Sequence, residues 1–135
     1  MSKFILKTFE AEKHFTEVST WWKFWRWTEH PTPVILSDIG FIVEAEGVNI
    51  CAGWLYLTNS IIGSMEFLVS NPFVDRKLRS EALDFLINSI NHRSEQEGKL
   101  VFMTNIKNEA LAKKLLTLDF MAGDKGMQQF IRVKK

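Results

Sequence analysis

Between Met65 and Gly98 the apolar pattern changes its period, and that change constrains the fold more than any other stretch. Met65 to Val69 is an apolar run broken by one acid, Glu66, and Ser70-Asn71-Pro72 makes a turn. Beyond Asp75, Leu78, Ala82, Phe85, Leu86 and Ile90 recur at helical spacing, while Arg76, Arg79, Glu81, Asp84 and Asn88 fall mostly on the other side. Asp75 is an N-cap candidate and Gly98 a C-terminal stop. The segment therefore reads as a strand, a short polar loop and a long helix whose N-terminus faces that loop. A helix start holds anions, because its first N–H groups are unpaired and its dipole end is positive. Arg76, Lys77 and Arg79 add positive charge there. Cations at that end cost a few tenths of a kcal/mol, which weighs toward an anionic partner; a merely solvated face stays open.

The rest of the chain supplies partners for this unit. Phe4 to Phe9 alternates as a first strand, and Ala11 to about Trp25 has Phe15, Val18, Trp22 and Trp25 on one helical side. Trp21, Phe24 and Trp27 widen that face before His30-Pro31-Thr32-Pro33 breaks the chain. Phe41 to Glu46 and Asn49 to Leu57 read as a hairpin about Gly47-Val48-Asn49. Lys99 to Thr104 is nearly continuous in apolar residues, as for a strand buried on both faces. Asn108 caps a helix carrying Leu111, Leu115 and Leu118. Phe120 begins a last strand region, with a turn at Ala122 to Gly126 and a strand from Met127 to Val133. The order β, α, loop, β, β, β, α, β, α, β, β predicts an α/β (α+β) fold. It is a single domain, 1–135, with one mixed, mostly antiparallel sheet of about six to seven strands and helices on both faces.

Composition removes several function classes. A net charge of +1 gives no field for capturing nucleic acid or an acidic membrane surface. Only Lys23 and Arg26 interleave the aromatics of Trp21 to Trp27, too few phosphate contacts for nucleic acid. The single cysteine, Cys51, excludes an internal disulfide and reads as a small buried hydrophobe. His14, His30 and His92 have no carboxylate or cysteine at ligand spacing, so no metal site is expected. No signal-like N-terminus and no membrane-length apolar run are present, so a soluble, cytoplasmic protein is expected.

Val69-Ser70-Asn71-Pro72, the basic loop with Ala82-Leu83, and Asn108 with Leu111 closing at Leu118-Asp119-Phe120 resemble the GNAT family of acetyl-CoA-dependent N-acetyltransferases. The resemblance covers nearly the whole chain; NP…LRSEALDFLI and the small size resemble short phage-encoded proteins of that kind. It implies acetyl-CoA or CoA as cofactor. The fourth strand, Phe67, Leu68, Val69 and Ser70, would lend backbone groups to the pantetheine arm. The pyrophosphate would rest on the helix start, Arg76, Lys77, Leu78, Arg79 and Ser80, with Asn108 near the cofactor. The amine would enter over the segment holding Trp21, Trp22, Trp25 and Trp27, and Glu66 matches the region from which some members supply a general base. Partial burial fits a carboxylate to that task. The chain departs from the family where Leu78 and Ser80 replace loop glycines, Asp75 replaces an arginine or glutamine, Leu115 a tyrosine, and Asp119 a glycine.

Two readings of function follow. One is direct acetyl transfer from acetyl-CoA to an unidentified amine, of a small molecule or a protein, with Glu66 assisting. The other is a fold of the same outline that has lost catalysis and binds a protein partner through its tryptophan-rich segment. Glu66 can equally be a solvent-facing strand residue, and the tryptophans can be core. Four of them within seven residues cannot all face inward from one helix, so at least one is expected on a pocket or contact surface. Such a surface permits a homodimer without requiring one.

Overall fold

The computed structural model describes residues 3–27, 30–132 and 134. It comprises two compact units, the first ending at Asn105 and the second beginning at Ile106. In the first, β1 (Phe4–Thr8) leads to α1 (Ala11–Phe24), a 3-10 turn at Pro33–Ile35, then β2 (Ile39–Ala45), β3 (Val48–Leu57) and β4 (Ile62–Ser70). Helix α2 (Arg76–Gln96) and β5 (Val101–Thr104) complete it. The sheet runs in the order β1-β2-β3-β4-β5, antiparallel except for the parallel β4–β5 pair.

The two helices cover opposite faces, as the patterning predicts. On one face Val18, Trp21 and Trp22 of α1 pack on Ile42, Ala52, Trp54 and Val69. Gly40 is required there, since a Cβ would collide with the Trp54 indole. On the other face a Cβ at Gly53 would lie 3.0 Å from Leu68 and from Ile90 of α2, so the glycine lets this helix approach closely. Cys51 is buried, and burial pushes its thiol far up.

Local signals set the boundaries. The Asp75 carboxylate accepts from the amides of Lys77 (3.1 Å) and Leu78 (3.2 Å), capping α2. Gly98, at φ 82°, stops it, its amide donating to Glu95 O and that of Lys99 to Ser94 O. The β2–β3 hairpin is tighter than expected: Ala45 pairs with Val48 across a two-residue turn, with Glu46 at φ 51° and Gly47 at φ 81°.

Three expectations are corrected. Among the described residues the sheet has five strands rather than six to seven. No strand forms among the described residues after α3 (Glu109–Thr117), neither from Phe120 nor from Met127; Val133 lies outside the described residues. Alternation there matches a strand, but a strand exists only through a ladder partner, and Met121, Met127, Phe130 and Ile131 are all exposed. Nor is β5 buried on both faces: it is the sheet's last strand, with Val101 and Met103 partly exposed. In the second unit, Asn108 Oδ1 accepts from Leu111 N at 2.9 Å and caps α3 as its sequence indicates. No described helix is long and apolar enough to cross a membrane.

Candidate functional site

The sheet opens at its β4–β5 edge. β5 pairs with β4 only from Ile62 to Met65, the last pair being Met65–Thr104, where Thr104 Oγ1 donates to Met65 O at 2.7 Å. β4 continues past that pair to Ser70. Just beyond it β4 bulges. Glu66 lies opposite Trp54 and Val69 opposite Ala52, so two β4 residues, Phe67 and Leu68, face one β3 residue. Phe67 stands at φ 61°, a left-handed backbone that a bulky residue adopts only at a cost of about 1–3 kcal/mol.

The bulge sorts the side chains. Leu68 points to the α2 face, where it would meet a Cβ on Gly53, while Val69 and Phe67 pack with the α1-face core. Glu66, directly opposite Trp54, stays on that face, half-buried, with Ser64 Oγ donating to its Oε1 at 2.7 Å. Tyr56 is its neighbour on β3. Burial raises the Tyr56 phenol above its ordinary range, and the Glu66 charge adds to the rise. The Tyr56 hydroxyl donates to Ile35 O at 2.8 Å, fixing the ring against the 3-10 turn.

The four tryptophans divide. Trp21 and Trp22 are 1% and 0% exposed, deep in the core, whereas Trp25 and Trp27 are 40% and 36% exposed. Two indoles also bind the open strand: Trp22 Nε1 donates to Phe67 O (3.3 Å) and Trp25 Nε1 to Ser70 O (2.8 Å). Trp27 sits 6.5 Å from Phe67 and 6.0 Å from Trp22, ring centre to ring centre. His30 stacks on Trp22 at 5.7 Å with 9° between planes.

At the helix start, Arg76 and Lys77 are exposed, and Leu78, Arg79 and Ser80 are half-buried. The Asp75 carboxylate already holds the Lys77 and Leu78 amides. Arg79 turns back into the loop: its Nη1 donates to Val74 O at 3.0 Å, and its guanidinium lies over the Trp25 ring at 5.4 Å. Of the three cations expected there, two reach solvent and one fastens the loop to the end of α1. Asn108 belongs to the second unit. A groove of about 430 Å³ lies between β1, β2 and α2, lined by Leu6, Phe41, Phe85 and His92; none of the sequence-predicted site residues lines it.

Sequence reasoning missed Ser64, Tyr56 and His30. Ser64 and Tyr56 carried a signal, since Ser64 precedes Glu66 by two on one strand face and Tyr56 follows Trp54 by two. His30 carried none, its stacking being purely tertiary.

No protein-family model matches the chain, and no curated protein matches it by sequence. Solved structures do. An acetyltransferase from Trypanosoma brucei is 15% identical, with 95% of this chain and 99% of that one covered and a TM-score of 0.68. An aminoglycoside acetyltransferase from an uncultured soil metagenomic sample, in complex with sisomicin, is 9% identical over 98% of this chain and 97% of that one, TM-score 0.74. N-acetylglutamate synthase from Neisseria gonorrhoeae, complexed with coenzyme A and N-acetyl-glutamate, is 13% identical over 84% of this chain but 28% of its own, TM-score 0.68. At such identities the likeness is one of fold.

Proposed function

We propose, from the premise that this chain carries the GNAT acetyltransferase fold, that it is an N-acetyltransferase using acetyl-CoA to modify an amine by direct transfer. The carrying observation is the fork: β4 runs on past Met65–Thr104 with a strained bulge at Phe67, leaving the backbone of Glu66 to Ser70 beyond its last β5 pair. A strand edge without a ladder partner suits an extended chain bearing amides, such as pantetheine.

The residues present fit that cofactor, with internal competitors along the strand and at the helix start. Phe67, Leu68, Val69 and Ser70 would face the arm, and the exposed Arg76 and Lys77 the phosphates. The Leu78, Arg79 and Ser80 turn would give the helix end, and Asn108 is assigned by the resemblance alone. The competitors are the Trp22 and Trp25 indoles, which hold Phe67 O and Ser70 O, and Asp75, which holds two of the amides a diphosphate would use. Bound acetyl-CoA would supply an activated acetyl group as a thioester. Glu66 would take the proton from the incoming ammonium, while Ser64 fixes the carboxylate's rotamer. Trp27, Phe67 and Tyr56 would flank the amine and limit water.

Thermal unfolding with acetyl-CoA and with CoA tests the reading. At 100 times the dissociation constant, binding adds about 2.7 kcal/mol of stability; no shift at millimolar cofactor sinks it. The partner-binding reading then gains from the exposed Phe24 and Phe73, which meet edge to face at 5.5 Å beside Trp25. Glu66→Gln should lower turnover with cofactor affinity nearly intact.

A further inference from the structure

The ring geometry over the bulge bears on which amine this site takes. Phe67, held in the left-handed region, has Tyr56 at 6.0 Å, edge on at 67°, and Trp27 at 6.5 Å. Trp22 backs Trp27 at 6.0 Å and anchors the bulge through Phe67 O. Tyr56 is fixed by Ile35 O, and the buried Trp22 behind Trp27 is fixed by the stacked His30. One carboxylate, Glu66, stands on the same strand face, steadied by Ser64. Fixed aromatic faces around one negative charge attract a cation through ring quadrupole and Coulomb attraction together. The same walls offer little to a body covered in hydroxyl groups, whose hydrogen bonds to water they would leave unreplaced.

We propose that Trp27, Phe67, Tyr56 and Glu66 form an aromatic cage for a singly charged ammonium on a flat, apolar body, the arylalkylamine class. This names the acceptor of the site proposed above and rests on that reading. Phe67 supplies the floor, Trp27 and Tyr56 the sides, and Glu66 the counter-charge. The bulge is what brings Glu66 and Phe67, adjacent in sequence, to one face of a strand that would otherwise point them apart.

The test titrates 2-phenylethylamine, 2-phenylethanol and kanamycin into the full chain while NMR follows the Trp27 indole and the Phe67 amide. The cage requires both signals to move with phenylethylamine and neither with the uncharged alcohol at equal concentration. Trp27→Leu, which keeps apolar volume and removes the ring, should weaken phenylethylamine binding about tenfold. Glu66→Gln should weaken it while leaving the fold's spectrum in place. Unchanged binding in both variants, or kanamycin moving the same signals at lower concentration, overturns the cage. Acetyl transfer from acetyl-CoA is then measured with both amines. Phenylethylamine bound as above but never acetylated keeps the cage and removes the transferase reading; kanamycin acetylated and phenylethylamine neither bound nor acetylated does the reverse.

Discussion

The two faces of the sheet are packed in different materials. Against α2 the contacts at the centre are aliphatic, with Leu68, Leu86 and Ile90 closing over Gly53, and rings enter toward the β1 side, where Phe4 meets Phe85 at 5.6 Å. Against α1 they are aromatic: Trp54 has Phe9 at 4.9 Å and Trp22 at 5.5 Å, and the rings continue outward through Trp27 and Phe67. Aliphatic side chains fill space without further demands. Aromatic ones carry N–H and O–H groups that need acceptors; Trp22, Trp25 and Tyr56 find them in the strand and turn carbonyls Phe67 O, Ser70 O and Ile35 O, while the buried Trp54 Nε1 has no partner among the described residues. The aliphatic face can hold the fold together. The aromatic face also fixes the backbone where the sheet opens, so it places the site.

The sharpest way to break this division is Trp22→Ala. It empties a fully buried site and orphans Phe67 O, so a loss of about 3–5 kcal/mol is expected by denaturant unfolding. The bulge signals should move with it; an unmoved Phe67 amide in the folded variant would detach the bulge from the indole. Leu86→Ala, equally buried on the other face, should cost about 3 kcal/mol. Its folded fraction should bind acetyl-CoA like the parent, and a changed affinity would mean that the faces do not divide the labour.

Smaller substitutions sharpen the contrast. Phe67→Gly should be more stable than Phe67→Ala by about 1–2 kcal/mol, since only the alanine pays for the left-handed backbone. The reverse order in urea titrations would place the strand in ordinary β geometry. On the α2 side, Asp75→Ala should cost about 1 kcal/mol through the lost cap, and Asp75→Ser much less. Equal losses in the two would show that capping is not Asp75's contribution. The smallest effect concerns His14, at the start of α1, whose Nδ1 accepts from Glu10 N at 2.9 Å. Burial, and then nearby Lys7, hold its pKa below the ordinary 6.5, so the folded chain prefers the neutral ring. That contribution is complete above pH 6.5 and declines as pH falls below it through the folded value. His14→Gln should flatten the stability curve in that window, and an unchanged slope would remove the ring from it.

Element identity was largely written in local patterns. Asp75, Gly98 and Asn108 mark ends that depend on nearby backbone groups, and the structure caps or stops its helices at all three. The switch from the Met65–Val69 run to helical spacing after Asp75 reflects side-chain directions set within a few residues, so it too was visible in one dimension. Trp21 to Trp27 announced an aromatic surplus, and the prediction that not all could face inward matches two buried rings and two partly exposed ones.

What needed three dimensions was whatever depends on a partner distant along the chain. Phe120 and Met127 had the alternation of strands, but alternation supplies no ladder, and the described residues there form none. The bulge at Phe67 follows from the register between β3 and β4, which no residue of β4 encodes alone. Glu66 was recognisable as an acid in an apolar run; Tyr56, ten residues before it, and Trp27, forty before the Phe67 it packs against, were not. A chain's own spacing fixes which way its side chains point, while only packing fixes what they meet.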